Sequence, residues 1–588
     1  MRQPAVAPLR AILGLLIVGG ALASVCPWAW AAPASGTPGR ADRQFRAMVA
    51  ELIDSEMRLH PERATEDGDH RFDNRLGDLS QSGIRAKIRH AREWKGRFSR
   101  LPATALSAPN EADREWLIAH LDAELLWNEE VKFYRSDPGA YMPTAAVDSL
   151  IKRDFAPLAQ RMRSVMFREQ AALESLAQAR RNLSPAVTSK VAVDIALAQM
   201  PATLDYFRKD VPGAFASLPG GEARNSFRRA NQTLITALSA YQHWLHGFRA
   251  RASGGIRLGP HAFARMLADD DMVDAPISRL EELGKAELLR LRGEFKRTAA
   301  LIDSKHPPQD VFKALSGRHP EASRVIPAVS AGLAGLRAFV IEHHLATIPA
   351  AQQPLVRETP PFARATTFAS MDTPGPLEKQ ASESYFYVTL PEPSWPAKRQ
   401  DQLLAFFSPP SISDTSAHEV YPGHYVQFLN NRNDPDLVRS LFYSGANVEG
   451  WAFYCEQMML DEGLHGDAPE YRLAQLQMAL QRVCRYLVAI AMHTGSMTVA
   501  QAAGFFRDNA YMTPNNAMVE ALRGTQDPGY LRYQLGKFMI LKLREDARHK
   551  QGAAFDLGKF HDAFLAQGGV PIKLIRRAML GSDSGAQL

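Results

Sequence analysis

The segment HEVYPGH, residues 418–424, contains two histidines with a glutamate directly after the first. A catalytic zinc ion takes three protein ligands from His and carboxylate groups and keeps a fourth position for water. In the familiar HExxH motif the two His are four residues apart and share one helix face. Here His418 and His424 are six residues apart, which on an ideal helix would separate the side chains by about 240°. A regular helix therefore cannot build a metal site from this pair.

The residues between the two histidines are of the types that can absorb the extra length. Pro422 lacks an amide hydrogen, and its ring would clash in a helix with the carbonyl of His418, four positions back. Gly423 adds backbone freedom. We therefore predict a break at 421–423 that returns both imidazoles to one side, with His424 beginning a further helix. Glu419 would then be the general base that takes a proton from a metal-bound water.

A third ligand is expected in the segment NVEGWAFYCEQMML, residues 447–460. Glu449 and Glu456 are seven residues apart and so share a helix face. Glu449 follows His424 by 25 residues, a distance that allows a second helix to pack antiparallel to the first. Glu456 is suited to support a ligand histidine from behind. We predict one zinc ion held by His418, His424 and Glu449. The spacing leaves open whether Glu456 is the ligand instead, and whether manganese or cobalt is the native metal.

The elements that position these residues are predicted to be helices. In two segments the apolar residues recur at steps of three and four, which is typical of amphipathic helices packed on a core. These residues are Phe227, Ala230, Leu234, Leu238, Tyr241, Leu245 and Phe248 in the first segment, and Ile277, Leu280, Leu283, Leu288, Leu291, Phe295, Ala299 and Ile302 in the second. The fold class is therefore mainly α.

Proline-rich stretches at 359–376 and 390–396 interrupt the helical pattern. Between them, YFYVTL at 385–390 is the best strand candidate. We predict an N-terminal helical half at 41–344 and a C-terminal catalytic half at 345–588, with a small β or irregular insert at 345–400. The two halves are expected to form one continuous cleft.

The first residues have the pattern of a secretory signal peptide. Two early arginines precede an apolar run and then small residues, so we predict a signal at 1–31 and a periplasmic or secreted protein. Anchoring through a lipid on Cys26 is the weaker alternative, because Val25 is bulky for such a signal. After signal removal no stable membrane insertion is expected. Cys455 and Cys484 then remain, and the sequence does not decide whether they pair.

The net charge of +6 does not indicate a nucleic-acid partner, since 69 Lys and Arg are interleaved with 63 Asp and Glu. No basic arm or RNA-binding motif is present.

These motifs together resemble those of the secreted bacterial proteins that carry domain of unknown function 885. The resemblance covers residues 45–580 and depends on PERATEDGDHRFDNRLGDLS at 61–80, HEVYPGHYVQ at 418–427 and VEGWAFYCE at 448–456. It implies a mainly helical fold similar to that of HExxH-type zinc oligopeptidases and carboxypeptidases. Two positions depart from the family pattern: Tyr425 replaces a second consecutive His, and Ala489 stands where Asp is common.

The resemblance also directs attention to segments 482–502 and 516–537. In the first it implies that Arg485 and His493 face the cleft. In the second, Glu520, Arg523 and Tyr533 match the family's arrangement. A tyrosine hydroxyl near the metal could donate to the oxyanion of a tetrahedral intermediate.

Tyr533 is the first candidate for that donor and Tyr530 the second; His493 is a further catalytic candidate. Arg485 or Arg523 could bind a substrate carboxylate with both guanidinium nitrogens. Glu520 is expected behind the site. The leading prediction is an exported zinc-dependent peptidase acting on short peptides. The alternatives are a periplasmic binding protein without catalysis, against which Glu419 argues, and a metal-dependent hydrolase of a non-peptide ester or amide. The oligomeric state stays open.

Overall fold

A computed structural model describes residues 39–364, 367–581 and 586–588. The predicted signal peptide and Cys26 lie outside these residues. The described chain is mainly α with one small sheet, as the sequence predicts. Residues Pro38–Leu588 form one compact unit, which includes both of the predicted halves.

Thirteen α-helices precede the sheet among the described residues. They are α1 (Arg40–Leu59), α2 (Pro61–Asp67), α3 (Gln81–Ser99), α4 (Ala108–Leu125), α5 (Thr144–Ile151), α6 (Leu158–Asn182), α7 (Lys190–Asp205), α8 (Val211–Ala214), α9 (Glu222–Arg251), α10 (Pro260–Asp271), α11 (Ile277–Ile302), α12 (Pro308–Ser316) and α13 (Ala322–Glu342).

The predicted insert contains a three-stranded sheet made of β1 (Leu355–Glu358), β2 (Ala369–Asp372) and β3 (Tyr385–Val388). The strand order is β1-β3-β2, so the predicted strand β3 is the central one. β1 pairs with it in parallel, and β2 pairs antiparallel with Met371 opposite Phe386. β2 is therefore an edge strand.

Eleven α-helices follow the sheet in the described residues. They are α14 (Ala397–Leu404), α15 (Pro409–Glu419), α16 (His424–Asn433), α17 (Leu437–Leu441), α18 (Gly445–Asp461), α19 (Pro469–His493), α20 (Val499–Ala510), α21 (Pro514–Gly524), α22 (Arg532–Gln551), α23 (Leu557–Leu565) and α24 (Ile572–Leu580).

The predicted apolar stripes face the core. In α9 all seven stripe residues are buried, and in α11 the stripe from Leu280 to Ala299 packs along α19. α19 itself is buried on nearly every side, polar residues included, from Leu473 to His493. An apolar stripe in the sequence identifies only part of the buried surface of such a helix, because charged side chains that pair with one another can also be buried. α19 is thus a central helix that carries charged groups through the core.

α13 is apolar and long enough to qualify as a membrane span by length and composition, with a mean hydropathy of 1.6. In the compact unit it packs against α15 and β1.

Candidate metal centre

The two histidines lie on different helices joined by a tight turn. α15 ends at Glu419 and α16 begins at His424, as predicted from the proline and glycine between them. The amide of Gly423 donates to the Ala417 carbonyl at 3.1 Å, which folds the turn back onto the end of α15. A Cβ atom at Gly423 would lie 1.7 Å from the His418 carbonyl oxygen, so no larger residue fits here. The turn brings the two imidazole centroids to 4.8 Å, with their planes at 90°.

A neighbouring helix holds this turn in place. The indole nitrogen of Trp451, on α18, donates to the carbonyl of Pro422 at 3.0 Å. The peptide bond between Tyr421 and Pro422 is cis. α18 packs against α15 on one side and against α22 on the other. The backbones of α18 and α22 are in direct contact, since a Cβ atom at Gly450 would lie 2.5 Å from the Cα of Gly536. The EGWA segment therefore both anchors the turn and positions Glu449.

The three predicted ligands converge. Glu449 Oε2 lies 3.8 Å from His418 Nε2 and 3.5 Å from His424 Nε2, and one ligand atom from each residue lies within 4.8 Å of the others. Tetrahedral zinc with bonds of about 2.0–2.2 Å would separate its ligand atoms by about 3.3–3.5 Å. The three groups thus fit a single ion with little adjustment.

The charges of Glu449 and His418 suit a cation. At His424 burial lowers the pKa, but the Glu449 carboxylate outweighs burial and raises it, so this imidazole must lose a proton when a metal binds. Burial alone would raise the pKa of Glu449, but the imidazole of His424, followed by that of His418, lowers it to about 2. Burial lowers the pKa of His418 well below its usual value, so this imidazole is neutral and able to coordinate. The side chain of Glu449 is 29% exposed, so the cluster opens to solvent on one side.

Glu456 supports the first histidine from behind. Its Oε1 lies 2.7 Å from His418 Nδ1 and 3.0 Å from Arg482 Nη2. With a proton on Nδ1, the lone pair of His418 Nε2 points toward Glu449, which is the usual arrangement of a metal-ligating His. Of the two glutamates, Glu449 is the one placed to be a ligand, because it lies beside both Nε2 atoms, whereas Glu456 lies behind His418.

Asp414 is part of the same buried network and was not identified from the sequence. Burial, followed by the negative charge of Glu456, raises its pKa well above the usual value, so Asp414 holds a proton next to the Glu456 carboxylate. Asp414 precedes His418 by four residues on α15, and that spacing places the two on one helix face. The four-residue spacing of Asp414 and His418 could therefore have indicated this neighbour from the sequence, although a buried Asp has many other interpretations.

Glu419 is buried beside the cluster. Burial raises its pKa to about 7, although the imidazole of His424 opposes the rise. The backbone amide of Met371, in β2, hydrogen-bonds its carboxyl group. A carboxylate with a pKa near neutrality is suited to take and return a proton at ordinary pH.

Tyr533 lies next to His418, with ring centroids 6.2 Å apart and planes at 20°. Arg523 Nη2 lies 3.3 Å from the Tyr533 hydroxyl and 3.3 Å from Asp527. Burial raises the pKa of Tyr533 to about 12, so its hydroxyl keeps its proton and can donate it in a hydrogen bond. The Arg523 side chain is one-third exposed, so part of its guanidinium is accessible to solvent.

Arg485 is held differently. Its Nε and Nη2 donate to the two carboxylate oxygens of Glu520, at 2.6 Å and 2.7 Å, and its guanidinium lies 5.3 Å from the centroid of Tyr533. A buried bidentate pair of this kind leaves little capacity for a substrate carboxylate. The placement of Glu520 explains its role here: it neutralises Arg485 and does not contact the ligand histidines.

Two predicted residues are not gathered at the cluster. His493 Nε2 bonds the carbonyl of Gly524 at 2.7 Å, and its ring stacks on Phe263. Tyr530 is buried with its hydroxyl against Gly524, where an added Cβ would lie 2.3 Å from that oxygen. His493 packs α19 against the end of α21, and Tyr530, in the short segment between α21 and α22, packs on the same glycine. The described contacts therefore do not support a catalytic role for His493 or a substrate contact for Tyr530.

Four further residues whose environment the sequence leaves open are all buried: Tyr425, Ala489, Cys455 and Cys484. Tyr425, which departs from the family pattern, donates to the carbonyl of Gln352 at 2.7 Å. Ala489 is buried in α19. Cys455 and Cys484 are both buried and free, and burial raises the pKa of each thiol.

The fold matches two solved structures over almost their whole length. One is described as a putative lipoprotein of unknown function from Shewanella oneidensis, with a TM-score of 0.77, 25% identity, and coverage of 91% of this chain and 99% of that one. The other is a putative lipoprotein from Colwellia psychrerythraea, with a TM-score of 0.77, 17% identity, and coverage of 92% and 99%. No curated protein matches the chain. The model of a family described as bacterial protein of unknown function, DUF885, matches residues 61–579, and the chain therefore belongs to that family.

Proposed function

We propose that this protein is an exported zinc-dependent peptidase. The observation that carries the proposal is the convergence of His418, His424 and Glu449 on one point, open to solvent, with Glu419 beside them. Bound zinc would supply Lewis-acid polarisation of a carbonyl and a water of lowered pKa. The donor set of two imidazoles and one carboxylate is the set used by several catalytic zinc sites.

The protein's own groups would then divide the remaining work. Glu419 takes the proton of the attacking water and returns it to the leaving amine, for which a pKa of about 7 is well placed. Tyr533 donates its hydroxyl hydrogen to the oxyanion that develops on the scissile carbonyl. Arg523 holds that hydroxyl and offers its remaining donors to a substrate carboxylate. Glu456 keeps His418 in the correct tautomer.

The edge strand β2 favours a peptide as the substrate. Only one side of β2 is paired in the sheet among the described residues, and its Met371 amide reaches Glu419. An extended peptide can add to such an edge through main-chain hydrogen bonds, which an ester or small amide lacks. Alignment along β2 would lead a peptide bond past the general base.

Export is supported by the signal-like first 31 residues and by the two neighbours described as putative lipoproteins. Both a free periplasmic form and a lipid-anchored form are consistent with this support. We propose an envelope location, with the free form as the first expectation because Val25 is bulky for a lipid signal.

The test measures metal content and peptide cleavage in the same preparation. We expect one zinc ion per chain, cleavage of short peptides that a chelator abolishes and zinc restores, and loss of cleavage in Glu419→Gln with metal content unchanged. Glu462→Gln, at the end of α18, is the matched control and should cleave normally. Metal without cleavage of any peptide would refute the peptidase proposal and favour a binding protein or an esterase. Absence of stoichiometric metal would refute the site itself.

A further inference from the structure

A charged cavity adjoins the candidate metal centre between α2, the end of α5 and the sheet. Its volume is about 360 Å³, within the range of small-molecule sites. Glu66 at the end of α2 lines one wall, and Asp148, Lys152 and Arg153 line a second. Asp372 of β2 completes the ionisable lining. The cavity thus has three carboxylates and two cations.

The two cations are already engaged. Lys152 Nζ lies 3.1 Å from one oxygen of Asp372, and Arg153 Nη2 lies 2.9 Å from the other. Both positive charges therefore compensate the same carboxylate. They hold the loop after α5 against β2 and leave the two remaining acids without a close cationic partner.

Neither of those two acids forms an ion pair, although the positive charge of Lys152 partly offsets both; with three carboxylates and two cations, the lining keeps one excess negative charge. Asp148 accepts a hydrogen bond from the Tyr206 hydroxyl at 2.9 Å, which is a neutral donor. The Glu66 carboxylate has no hydrogen bond or ion pair within the part of the chain that the structure describes. Glu66 is exposed to solvent by surface area, yet the surrounding protein raises its pKa, as burial also raises that of Asp148 to about 6. A carboxylate that contacts solvent while the protein surrounds most of it lies in a cleft.

The cavity and the metal centre share one strand. Residues 370–373 line the cavity, and the Met371 amide of the same strand bonds Glu419. A peptide placed along the edge of β2 would therefore pass from one to the other. We infer that this cavity is the subsite for a positively charged group of the peptide substrate. That group is either a free α-amino terminus or a lysine or arginine side chain. The inference rests on the proposed function for the identity of the ligand as a peptide.

Binding to the full-length, zinc-loaded Glu419→Gln protein tests the inference without turnover. Three fluorescently labelled forms of one short peptide are compared: a form with a free amino terminus and one lysine, an N-acetylated form, and a form with norleucine in place of lysine. We expect at least one neutralised form to bind about tenfold more weakly, since a charged hydrogen bond is worth that much. The form that loses affinity identifies which of the two cations enters the cavity.

Variants of the cavity complete the test. Adding Glu66→Gln or Asp148→Asn should lower affinity for the charged peptide by about tenfold and leave that for the neutralised peptide unchanged. Glu174→Gln, a surface position paired with Arg181, is the matched control. Equal affinity for charged and neutralised peptides, or an equal loss for both in the variants, would overturn the inference. Cleavage is assayed separately, so a protein that binds by charge but never cleaves would refute the peptidase proposal and leave this subsite standing.

Discussion

Glu456→Gln should weaken zinc binding about tenfold while leaving the fold intact. The carboxylate accepts from His418 Nδ1 at 2.7 Å, and such a charge-assisted hydrogen bond contributes about 1.5–3 kcal/mol. A glutamine oxygen could still accept from the same nitrogen, but a neutral bond contributes about 0.5–1.5 kcal/mol. The difference of about 1–1.5 kcal/mol corresponds to roughly tenfold in affinity. Removal of the acceptor in Glu456→Ala should cost closer to a hundredfold, at the upper end for such supporting residues.

The proton held by Asp414 allows the Glu456→Gln protein to stay folded. Arg482 lies 3.0 Å from the native carboxylate and would lose its partner in the variant. The burial of Asp414 and the charge of Glu456 together keep Asp414 protonated. Once Glu456 is neutral, Asp414 can ionise and balance Arg482 in its place. The network therefore has a second acid ready to compensate.

Zinc affinity is measured by competition with a chelator of known affinity, and folding by circular dichroism and thermal unfolding without metal. Glu462→Gln serves again as the control, since it lies at the C-terminal end of α18, away from the ligands. If Glu456→Gln bound zinc as tightly as the unmodified protein while remaining folded, Glu456 would have no effect on the binding of zinc by His418. The assignment of His418 Nε2 as the coordinating atom would fail with it.

Two further predictions concern stability. Gly423→Ala should destabilise the protein by about 2–3 kcal/mol and abolish tight zinc binding, because its Cβ would lie 1.7 Å from the His418 carbonyl oxygen. Urea unfolding measures the stability and chelator competition the zinc affinity. A variant with unchanged stability would show that the turn can relax. For His70, burial lowers the pKa, but hydrogen bonds to Asp73 and Glu378 outweigh it and raise the pKa above the unfolded value. The stabilisation is therefore complete below pH about 6.5 and lost as the pH rises through the folded pKa. His70→Gln should accordingly lower the free energy of unfolding more at pH 5.5 than at pH 8.5, as measured by urea unfolding at both pH values. An equal loss at both pH values would contradict the assignment.

The local features of the site could be predicted from the sequence because they depend on the chemistry of single residues. Pro422 cannot continue a helix and Gly423 alone tolerates the close approach to the preceding turn, so a break before His424 was predictable. The apolar stripe of α9 followed from periodicity, and the strand β3 from its aromatic and β-branched residues between proline-rich stretches. In each case the information lies within one or two turns of chain.

Tertiary structure decided which distant residues meet at the site. Glu449 and Glu456 share a helix face and are equivalent by spacing, but α18 packs so that Glu449 reaches the Nε2 atoms and Glu456 the Nδ1 of His418. Likewise, Arg485 is engaged by Glu520, and His493 turns to a backbone carbonyl of the neighbouring helix. Such contacts depend on how far each helix is rotated and displaced, for example by the glycine-to-glycine contact of α18 with α22. A sequence pattern defines the faces of a helix, whereas the partner of each face is selected by the packing of the whole core.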